Sequence, residues 1–562
     1  MNRVAVLLIL ILMTSSRAAD LVFRNGDIYT VDAARSWASA VAISGERIVY
    51  VGDERGLREH IDDQTRVIDL NGRMMLPGFV DSHLHPLSGG MSITRLQLDN
   101  IYDREEVFSR IRNYVEANSD LPWIIGRGWL EAPFLPEGVP NRHMLDRIEP
   151  DRPVYIRNAS GHQSWVNSKA LEIAGITAGT PDPPNGRIDR EADGSPSGSL
   201  HEAASSLVSR HIPEETDSDR ERALARAMEA MGAYGVTSIV DAGSYPDSER
   251  AFSSLYDQGA MTVRAVLCQR HVADRDDDEQ LREFLARREA LNHPYLRASC
   301  VKLMLDGIIE HHTSALLEPY ADDPESRGMI FLEPGRVESV VEKLDKEGFQ
   351  VHVHSIADRS TRVALDALEH ALAVNGFRDA RPTLSHLQLV NPADIARFRE
   401  LGAIANITPI WMRLDFWERM AIETIGPERG RQLFLSQDYL RKGATLVWGT
   451  DWSVTTLSPL EGIETAVTRR HLGGIDPTTG EEDETWMPAQ TMNLEQAIAA
   501  YTINGAYLMH SENELGSIEA GKLADLVVLE ENLFDVAPLA IHVVETDMTV
   551  FNGSIVYERQ GR

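Results

Sequence analysis

The sequence predicts an α/β protein: a (β/α)8 barrel of the TIM type with a small β-sandwich domain built from both ends of the chain. The middle of the chain alternates short apolar runs with longer helical stretches, which is the pattern of βα units around a parallel sheet. Both ends contain short β-rich runs broken by Asn-Gly and Gly-Glu turns. We therefore expect the two ends to form one sheet domain, with the barrel inserted into it.

The domain bounds follow from these patterns. We predict the β-sandwich domain at residues 20–76 and 510–562 and the barrel at residues 77–509. A closed barrel needs eight strands, and the barrel segment offers eight apolar runs. They are Gly78–His83, Thr237–Asp241, Val263–Gln269, Val301–Leu305, Gln350–His354, Thr383–His386, Ala403–Ile407 and Thr445–Gly449. The first gap is too long for one crossover helix, so residues 87–220 are predicted to form an insert near the barrel mouth.

The composition limits the class of partner. The formal net charge of −31 at pH 7 argues against nucleic-acid binding, because the phosphate backbone would be repelled. A hydrophobic content of 43% is enough for a large core. We expect a small-molecule substrate, and a homodimer is compatible with the sequence.

The first residues have the pattern of a secretory signal peptide, predicted at residues 1–18. Arg3 provides the positive charge, Val4–Met13 form a short apolar run, and small residues surround Ala18. The run is short for a membrane span, so an uncleaved anchor is the less favoured alternative. We expect an exported protein, periplasmic or secreted, with no membrane attachment after cleavage.

The chain has two cysteines, Cys268 and Cys300, both in apolar, strand-like segments. Export permits a disulfide, but neither residue has a partner at the short spacing of a metal site. We expect buried free thiols, and the sequence leaves their pairing open.

Chemistry in a barrel collects at the carboxyl ends of the strands, so the polar residues there are the candidates. His83 and His85 end the first strand. Residues two apart on a strand point to the same face, so both imidazoles can hold one cation. The pattern His-x-His is weak evidence alone.

The other strand ends strengthen this interpretation. His354, His386 and Asp451 end the fifth, sixth and eighth strands, where an unpaired polar group would be costly to bury. Four imidazoles and a carboxylate suit zinc or a similar divalent metal, with one or two ions bound. The alternative is that each is a polar residue with an ordinary hydrogen-bond partner.

Lys302 lies inside the fourth strand, where a bare ammonium would be expensive. It pairs with a nearby acid such as Asp306, or it is carboxylated by carbon dioxide to a carbamate that bridges two metals. The residues alone do not decide between these alternatives.

Several segments together resemble a known group of enzymes. The segments LPGFVDSHLHP, GTDW and GSIEAGKLADLVVLE, with the strand-end histidines, resemble the amidohydrolase superfamily. The segments SGHQSWVNSKAL, VKLMLDG and HSIAD are similar to its family 3 branch, the YtcJ-like proteins. This resemblance implies that the metal ligands are His83, His85, Lys302, His354, His386 and Asp451. One departure is Ala357, which stands where relatives have glycine in the pattern His-Ala-x-Gly-Asp.

The resemblance implies a metal-dependent hydrolase of carbon–nitrogen bonds other than peptide bonds: an amide, an N-acyl amine or an N-acyl amino acid. The metal would activate water to hydroxide, and Asp451 would act as general base and then general acid. His162 is a candidate for oxyanion stabilisation or substrate binding, or else a loop histidine that caps a turn. Trp129, Trp165 and Asn167 are candidate substrate-binding residues, although aromatic residues in an insert more often pack its core.

Other functions remain open at this point. The same metal centre could deaminate a heterocycle or hydrolyse a lactone. A non-catalytic exported binding protein is a less favoured alternative, because a pure binder has no need for a complete ligand set.

Overall fold

The computed structural model describes residues 18–98, 101–136, 139–158, 163–184, 186–477 and 479–560. The predicted signal peptide, residues 1–18, therefore lies almost entirely outside the described residues. The chain divides into two compact units. The first runs to His85 and continues with Met228–Glu249 and the residues from Tyr256 onward, while the second comprises Pro86–Ala227 and Arg250–Leu255.

The first unit contains the predicted barrel. Within the described residues, its sheet has eight strands in consecutive order, and every pairing between neighbours is parallel. The strands are Phe79–Leu84, Val236–Ser244, Arg264–Arg270, Leu296–Met304, Gln350–Ser355, Thr383–His386, Ile404–Ile407 and Thr445–Trp448. All eight sequence-predicted strands are confirmed, with bounds that differ by a few residues.

The first and eighth strands approach closely enough that the sheet is nearly closed. The backbone N–H of Asp451 donates to the carbonyl of His83 at 2.7 Å. A Cβ atom on Gly449 would lie 2.4 Å from the Cβ of His83, so only glycine fits at this crossing. The close approach therefore brings the ends of the two strands to one place.

A disulfide joins the third and fourth barrel strands. Cys268 and Cys300 are register partners on these strands, and their sulfur atoms are bonded. The expectation of free thiols was wrong. A separation of 32 residues along the chain says nothing about register, whereas parallel pairing places the two side chains side by side.

Helices connect the strands of the first unit. In chain order they are Asp277–Ala290, Pro334–Lys346, Asp358–Asn375, Ile395–Leu401, Phe416–Ile425, Pro427–Gly430, Ser436–Arg441, Pro459–Thr468, Leu494–Ala500 and Ile503–Leu508, with Glu54–Leu57 near the start. Two longer helices, Asp217–Ala233 and Pro246–Asp257, cross the boundary between the units. Among the residues described, no helix has both the length and the apolar character that a bilayer span requires.

The predicted β-sandwich domain is also part of the first unit. One sheet contains Leu21–Arg24, Ala40–Ser44, Arg47–Gly52 and Arg66–Asp69. The other combines strands from both chain ends: Asp27–Tyr29, Trp37–Ala38, Met74–Pro77, Leu526–Leu529, Thr546–Phe551 and Ser554–Glu558. Leu526–Leu529 pairs antiparallel with Met74–Pro77, and residues of both sheets form one apolar core. The prediction of a sandwich built from both ends is confirmed.

The second unit has its own mixed sheet and core. Its strands are Leu96–Gln97, Ile124–Trp129, Val154–Asn158, Gln163–Val166, Gly186–Arg190 and Pro196–Glu202. Its helices are Pro86–Thr94, Arg104–Ala117, Arg142–Asp146, Ser168–Ile173 and Ser206–Ser209. Two clusters of buried apolar residues pack against this sheet. The unit corresponds to the segment that the sequence predicted as an insert.

Candidate metal centre

The first and eighth barrel strands bring two histidines and an aspartate together. Oδ1 of Asp451 lies 3.2 Å from Nε2 of His85 and 3.6 Å from Nε2 of His83. Nitrogen and oxygen ligands lie about 2.1 Å from a zinc ion, which places tetrahedral neighbours about 3.4 Å apart. The spacing of these three side chains is therefore that of ligands around one cation.

The sixth and fifth strands add two imidazoles. The ring centroid of His386 lies 4.7 Å from that of His83 and 4.4 Å from that of His354. Ligand atoms of His83, His386 and Asp451 all lie within 4.8 Å of one another. The four histidines and the aspartate named by the sequence thus form one cluster at the carboxyl ends of the strands.

Two of these residues have a backbone conformation that differs from that of a β-strand. His386 has a φ of 81° and Asp451 a φ of 56°. Backbone in this region is unfavourable for residues other than glycine and tends to occur at functional sites. The turn after Asp451's strand is held by Asp81, whose carboxylate accepts hydrogen bonds from the N–H and hydroxyl of Thr450. Asp81 therefore positions Asp451 without lining the cluster.

A fifth imidazole, His352, lies beneath the cluster. Its Nε2 is 3.0 Å from Nδ1 of His83 and 2.5 Å from the hydroxyl oxygen of Ser385. Histidines that bind a metal commonly bond their other ring nitrogen to a second polar group, which fixes the ring. His352 was not among the residues predicted from sequence, although its spacing from His354 matches that of His83 from His85.

Lys302 is buried in the same layer of the barrel and is in register with His352 on the next strand. Its Nζ has no hydrogen-bond partner among the described residues. Burial lowers the pKa of the Lys302 amine to about 7. An amine with this pKa is available in its neutral form near neutral pH.

The alternative pairing of Lys302 with Asp306 is wrong. The carboxylate of Asp306 accepts hydrogen bonds from the backbone N–H groups of Ile356 and Ala357 and from the hydroxyl of Ser360. Burial raises the pKa of Asp306 to about 7. Its donors hold the turn after His354, and the methyl group of Ala357 is accommodated there.

The imidazoles are kept neutral by their surroundings. Burial, followed by the positive charge of Lys302, lowers the pKa of His354 to about 3. Burial likewise holds the pKa of His83 and of His386 well below the ordinary value. Neutral imidazole is the form that binds a metal. These rings can therefore bind a metal without first losing a proton.

The donor set fits a divalent metal. Oδ1 of Asp451, Nδ1 of His386 and Nζ of Lys302 are buried polar atoms with no hydrogen-bond partner in the described part of the chain. Such atoms are costly in a folded protein unless a ligand satisfies them. Imidazole and carboxylate together are typical ligands of zinc and related metals.

The cluster opens into a cavity of about 560 Å³. This volume is in the range of sites for small organic ligands. Apolar side chains cover much of its wall: Ala242, Met304, Ile308, Ile356, Trp411, Trp417 and Val454. Polar groups other than the cluster are Arg270, Glu310, His311, Gln388 and Glu418.

The remaining predicted site residues are His162, Trp129, Trp165 and Asn167, and none of them is shown to bind a substrate. His162 lies outside the described residues. Trp129 and Trp165 are fully buried in the core of the second unit, and their indole N–H groups donate to the carbonyls of Ile156 and Asn141. The prediction that they line a pocket was wrong, because the core leaves them no accessible surface.

Asn167 is also fully buried. Its side-chain oxygen accepts from the N–H groups of Val154 and Ala170, and its amide donates to the carbonyls of Glu149 and Arg152. These bonds cap the helix Ser168–Ile173 and connect it to a strand. The substrate-binding prediction for Asn167 was wrong for the same reason.

Comparison with known proteins agrees with this site. A family model described as "Amidohydrolase family" matches residues 66–557. The chain belongs to the amidohydrolase family. The match spans the barrel, the second unit and the sandwich strands from Arg66–Asp69 onward, so the sequence resemblance is confirmed.

Three curated relatives of this amidohydrolase are similar along most of its length. Protein LONG AFTER FAR-RED 3 of Arabidopsis thaliana is 32% identical, over 92% of this chain and 88% of its own. The putative amidohydrolase YtcJ of Bacillus subtilis is 30% identical, over 96% and 99%. An N-substituted formamide deformylase of Arthrobacter pascens is 27% identical, over 98% and 100%.

A solved structure shares the fold of this amidohydrolase. It is an uncharacterized metal-dependent hydrolase from Pyrococcus furiosus, 25% identical, with a TM-score of 0.70 over 92% of this chain and 99% of its own. The family, this likeness and the donor set together identify the protein as a metal-dependent hydrolase, and the donor set fits a divalent metal.

Proposed function

We propose that this enzyme hydrolyses carbon–nitrogen bonds other than peptide bonds, in an amide, an N-acyl amine or an N-acyl amino acid. One observation carries the proposal: His83, His85, His386 and Asp451 surround one point at the floor of a largely apolar cavity. The full-length similarity to an N-substituted formamide deformylase supports cleavage of an acyl–nitrogen bond.

We propose zinc as the metal, held by His83, His85, His354, His386 and Asp451. A bound divalent cation polarises a carbonyl group and lowers the pKa of water. Asp451 supplies the proton transfer: its carboxylate takes a proton from the attacking water and returns it to the leaving nitrogen. Water adds to the carbonyl carbon, the carbon–nitrogen bond breaks, and the products are a carboxylate and an amine.

Lys302 is proposed to carry a carboxyl group. A neutral amine adds to carbon dioxide to give a carbamate and a proton, and the lowered pKa of Lys302 makes that neutral form available. In a carbamate, two oxygen ligands facing the imidazoles would take the place of an amine that has no hydrogen-bond partner among the described residues. These oxygens would allow a second metal ion.

Replacement of Asp451 by Asn tests the function. We expect kcat/KM on a panel of N-formyl and N-acetyl amines to fall by about 10² to 10⁴. The exposed Asp323→Asn variant is the matched control and should keep full activity. Equal rates for the two variants, with equal metal content and circular dichroism, would contradict the role of Asp451.

Product analysis separates this function from its nearest alternatives. A free carboxylate with an amine indicates amide hydrolysis, ammonia with an intact ring indicates a deaminase, and a hydroxy acid indicates a lactonase. Metal-loaded protein that binds these compounds and releases none of the products would favour a binding protein.

We also propose that the protein is exported. The signal-like pattern of residues 1–18 supports this, and a disulfide between Cys268 and Cys300 is typical of oxidising compartments. N-terminal sequencing of the protein from cells and from the extracytoplasmic fraction tests it. A chain that begins near residue 19 outside the cytoplasm is expected, and an intact chain confined to the cytoplasm would contradict it.

A further inference from the structure

Arg270 ends the third barrel strand inside the cavity of the metal centre. It is in register with Lys302 on the neighbouring strand, and both residues line the cavity. Cys268, two residues earlier, belongs to the barrel core. Side chains two apart on a strand share a face, so Arg270 continues this inward face at the mouth.

The guanidinium of Arg270 differs from that of Arg264 in its surroundings. Among the described residues, no carboxylate forms an ion pair or a hydrogen bond with Arg270, and burial lowers its pKa. Arg264, at the other end of the same strand, is paired with Asp525 at 2.7 Å. Half-buried charges without partners are costly, and a bound ligand can supply the missing counter-charge.

In the described part of the chain, the acids that line the cavity form no ion pair with Arg270. Glu310 accepts a hydrogen bond from the amide of Gln388 at 3.0 Å. Burial, with a contribution from Asp415, raises the pKa of Glu418 well above its ordinary value, which favours its uncharged form. Asp451 lies among the imidazoles of the cluster. Arg270 is therefore a charge on the cavity wall that no carboxylate of the described residues contacts.

We propose that Arg270 binds a carboxylate of the substrate, so that the preferred substrates are amides that carry a negative charge. The proposal rests on carbon–nitrogen hydrolysis and names its substrate class. A guanidinium binds a carboxylate through two parallel hydrogen bonds, which fixes orientation as well as affinity. With the carboxylate at Arg270, the rest of the substrate extends toward the metal-centre side chains. The carboxylate belongs to the amine part, as in an N-acyl amino acid, or to the acyl part, as in a dicarboxylic monoamide.

Three probes of similar size test this binding. N-acetylphenylalanine has the carboxylate on its amine side, N-succinyl-2-phenylethylamine has it on its acyl side, and N-acetyl-2-phenylethylamine is neutral. We expect kcat/KM of the wild type to be about 10- to 100-fold higher for one anionic probe than for the neutral one, as for a charged hydrogen bond. The anionic probe that is preferred identifies the side.

The Arg270→Gln variant should lose this ratio. The Arg270→Lys variant should retain part of it, because lysine keeps the positive charge but cannot form the two parallel hydrogen bonds of a guanidinium. Arg275→Gln is the control, since Arg275 is an exposed arginine paired with Glu283, and its ratio should equal that of the wild type. Equal use of all three probes by the wild type would overturn the proposal. So would a Gln variant, folded by circular dichroism, in which the ratio is unchanged.

Calorimetry separates failure of this proposal from failure of the proposed function. If the wild type hydrolyses none of the probes, the proposed carbon–nitrogen hydrolysis fails. The affinities of the probes then still decide whether Arg270 binds a carboxylate. Binding of an anionic probe that weakens about 10-fold or more in Arg270→Gln, and by less in Arg270→Lys, keeps the proposal. Binding that is the same in all three proteins overturns it.

Discussion

Nδ1 of His83 and Nε2 of His352 lie 3.0 Å apart, so that one imidazole donates a hydrogen bond to the other. This contact leaves Nε2 of His83 facing Asp451. His352 thus positions a metal-centre residue without belonging to the cavity wall.

The His352→Ala variant tests this positioning. Loss of a group that orients a ligand lowers metal affinity by about 10- to 100-fold, and we expect that decrease in competition with a chromophoric chelator. His370→Ala is the matched control, because His370 is bonded to Glu342 on a helix surface. Unchanged affinity in His352→Ala would mean that His83 is oriented without it.

Carbamate formation at Lys302 should depend on pH. Burial lowers the pKa of its amine to about 7, so the unreactive ammonium predominates below that pH and the reactive neutral amine above it. In protein supplied with 13C-bicarbonate, we expect a carbamate signal in the NMR spectrum that grows from pH 6 to pH 8.

The signal should disappear in Lys302→Met and persist in Lys343→Met. Lys343 is a suitable control because its ammonium is bonded to Asp278, which raises its pKa. A signal that survives in Lys302→Met, or none in the wild type at pH 8, would contradict carboxylation.

The disulfide should stabilise the first unit. A cross-link between residues 32 apart lowers the entropy of the unfolded chain, which corresponds to about 3 to 4 kcal/mol of unfolding free energy. We expect Cys268→Ala/Cys300→Ala to unfold at a lower guanidinium concentration than the wild type.

Reductant provides the control for this prediction. It should lower the unfolding midpoint of the wild type and leave that of the double variant unchanged. Identical midpoints for oxidised and reduced wild type would show that the cross-link does not contribute.

Asn167→Ala should affect stability and leave substrate specificity unchanged. The substitution leaves four backbone groups without their partner, including two carbonyls. We expect the unfolding free energy of the second unit to fall by about 2 to 4 kcal/mol. Urea unfolding measures it, with Lys169→Ala, a half-buried position in the first turn of the same helix, as control. A change in relative kcat/KM between substrates, without a loss of stability, would restore the binding role.

The sequence was informative where a residue's role depends on its own strand. His83, His354 and His386 end apolar runs, and the ends of parallel strands meet at one edge, so their convergence was predictable. His352 could have been found by the same two-residue spacing.

Roles that depend on register or packing were not predictable. Cys268 and Cys300 meet only because two parallel strands pair in one register. Trp129 and Trp165 have the composition of pocket residues, and only the packing around Phe134 shows that they are core. Arg270 stands out because it lies on the cavity wall without an acidic partner among the described residues, which no motif records.

The antiparallel pairing of Leu526–Leu529 with Met74–Pro77 has a consequence for synthesis. The earlier strand leaves the ribosome more than four hundred residues before its neighbour, so its apolar edge stays uncovered throughout elongation. Truncation of the last forty residues would leave that edge permanently open, and the shortened polypeptide should aggregate even though every metal-centre side chain is present.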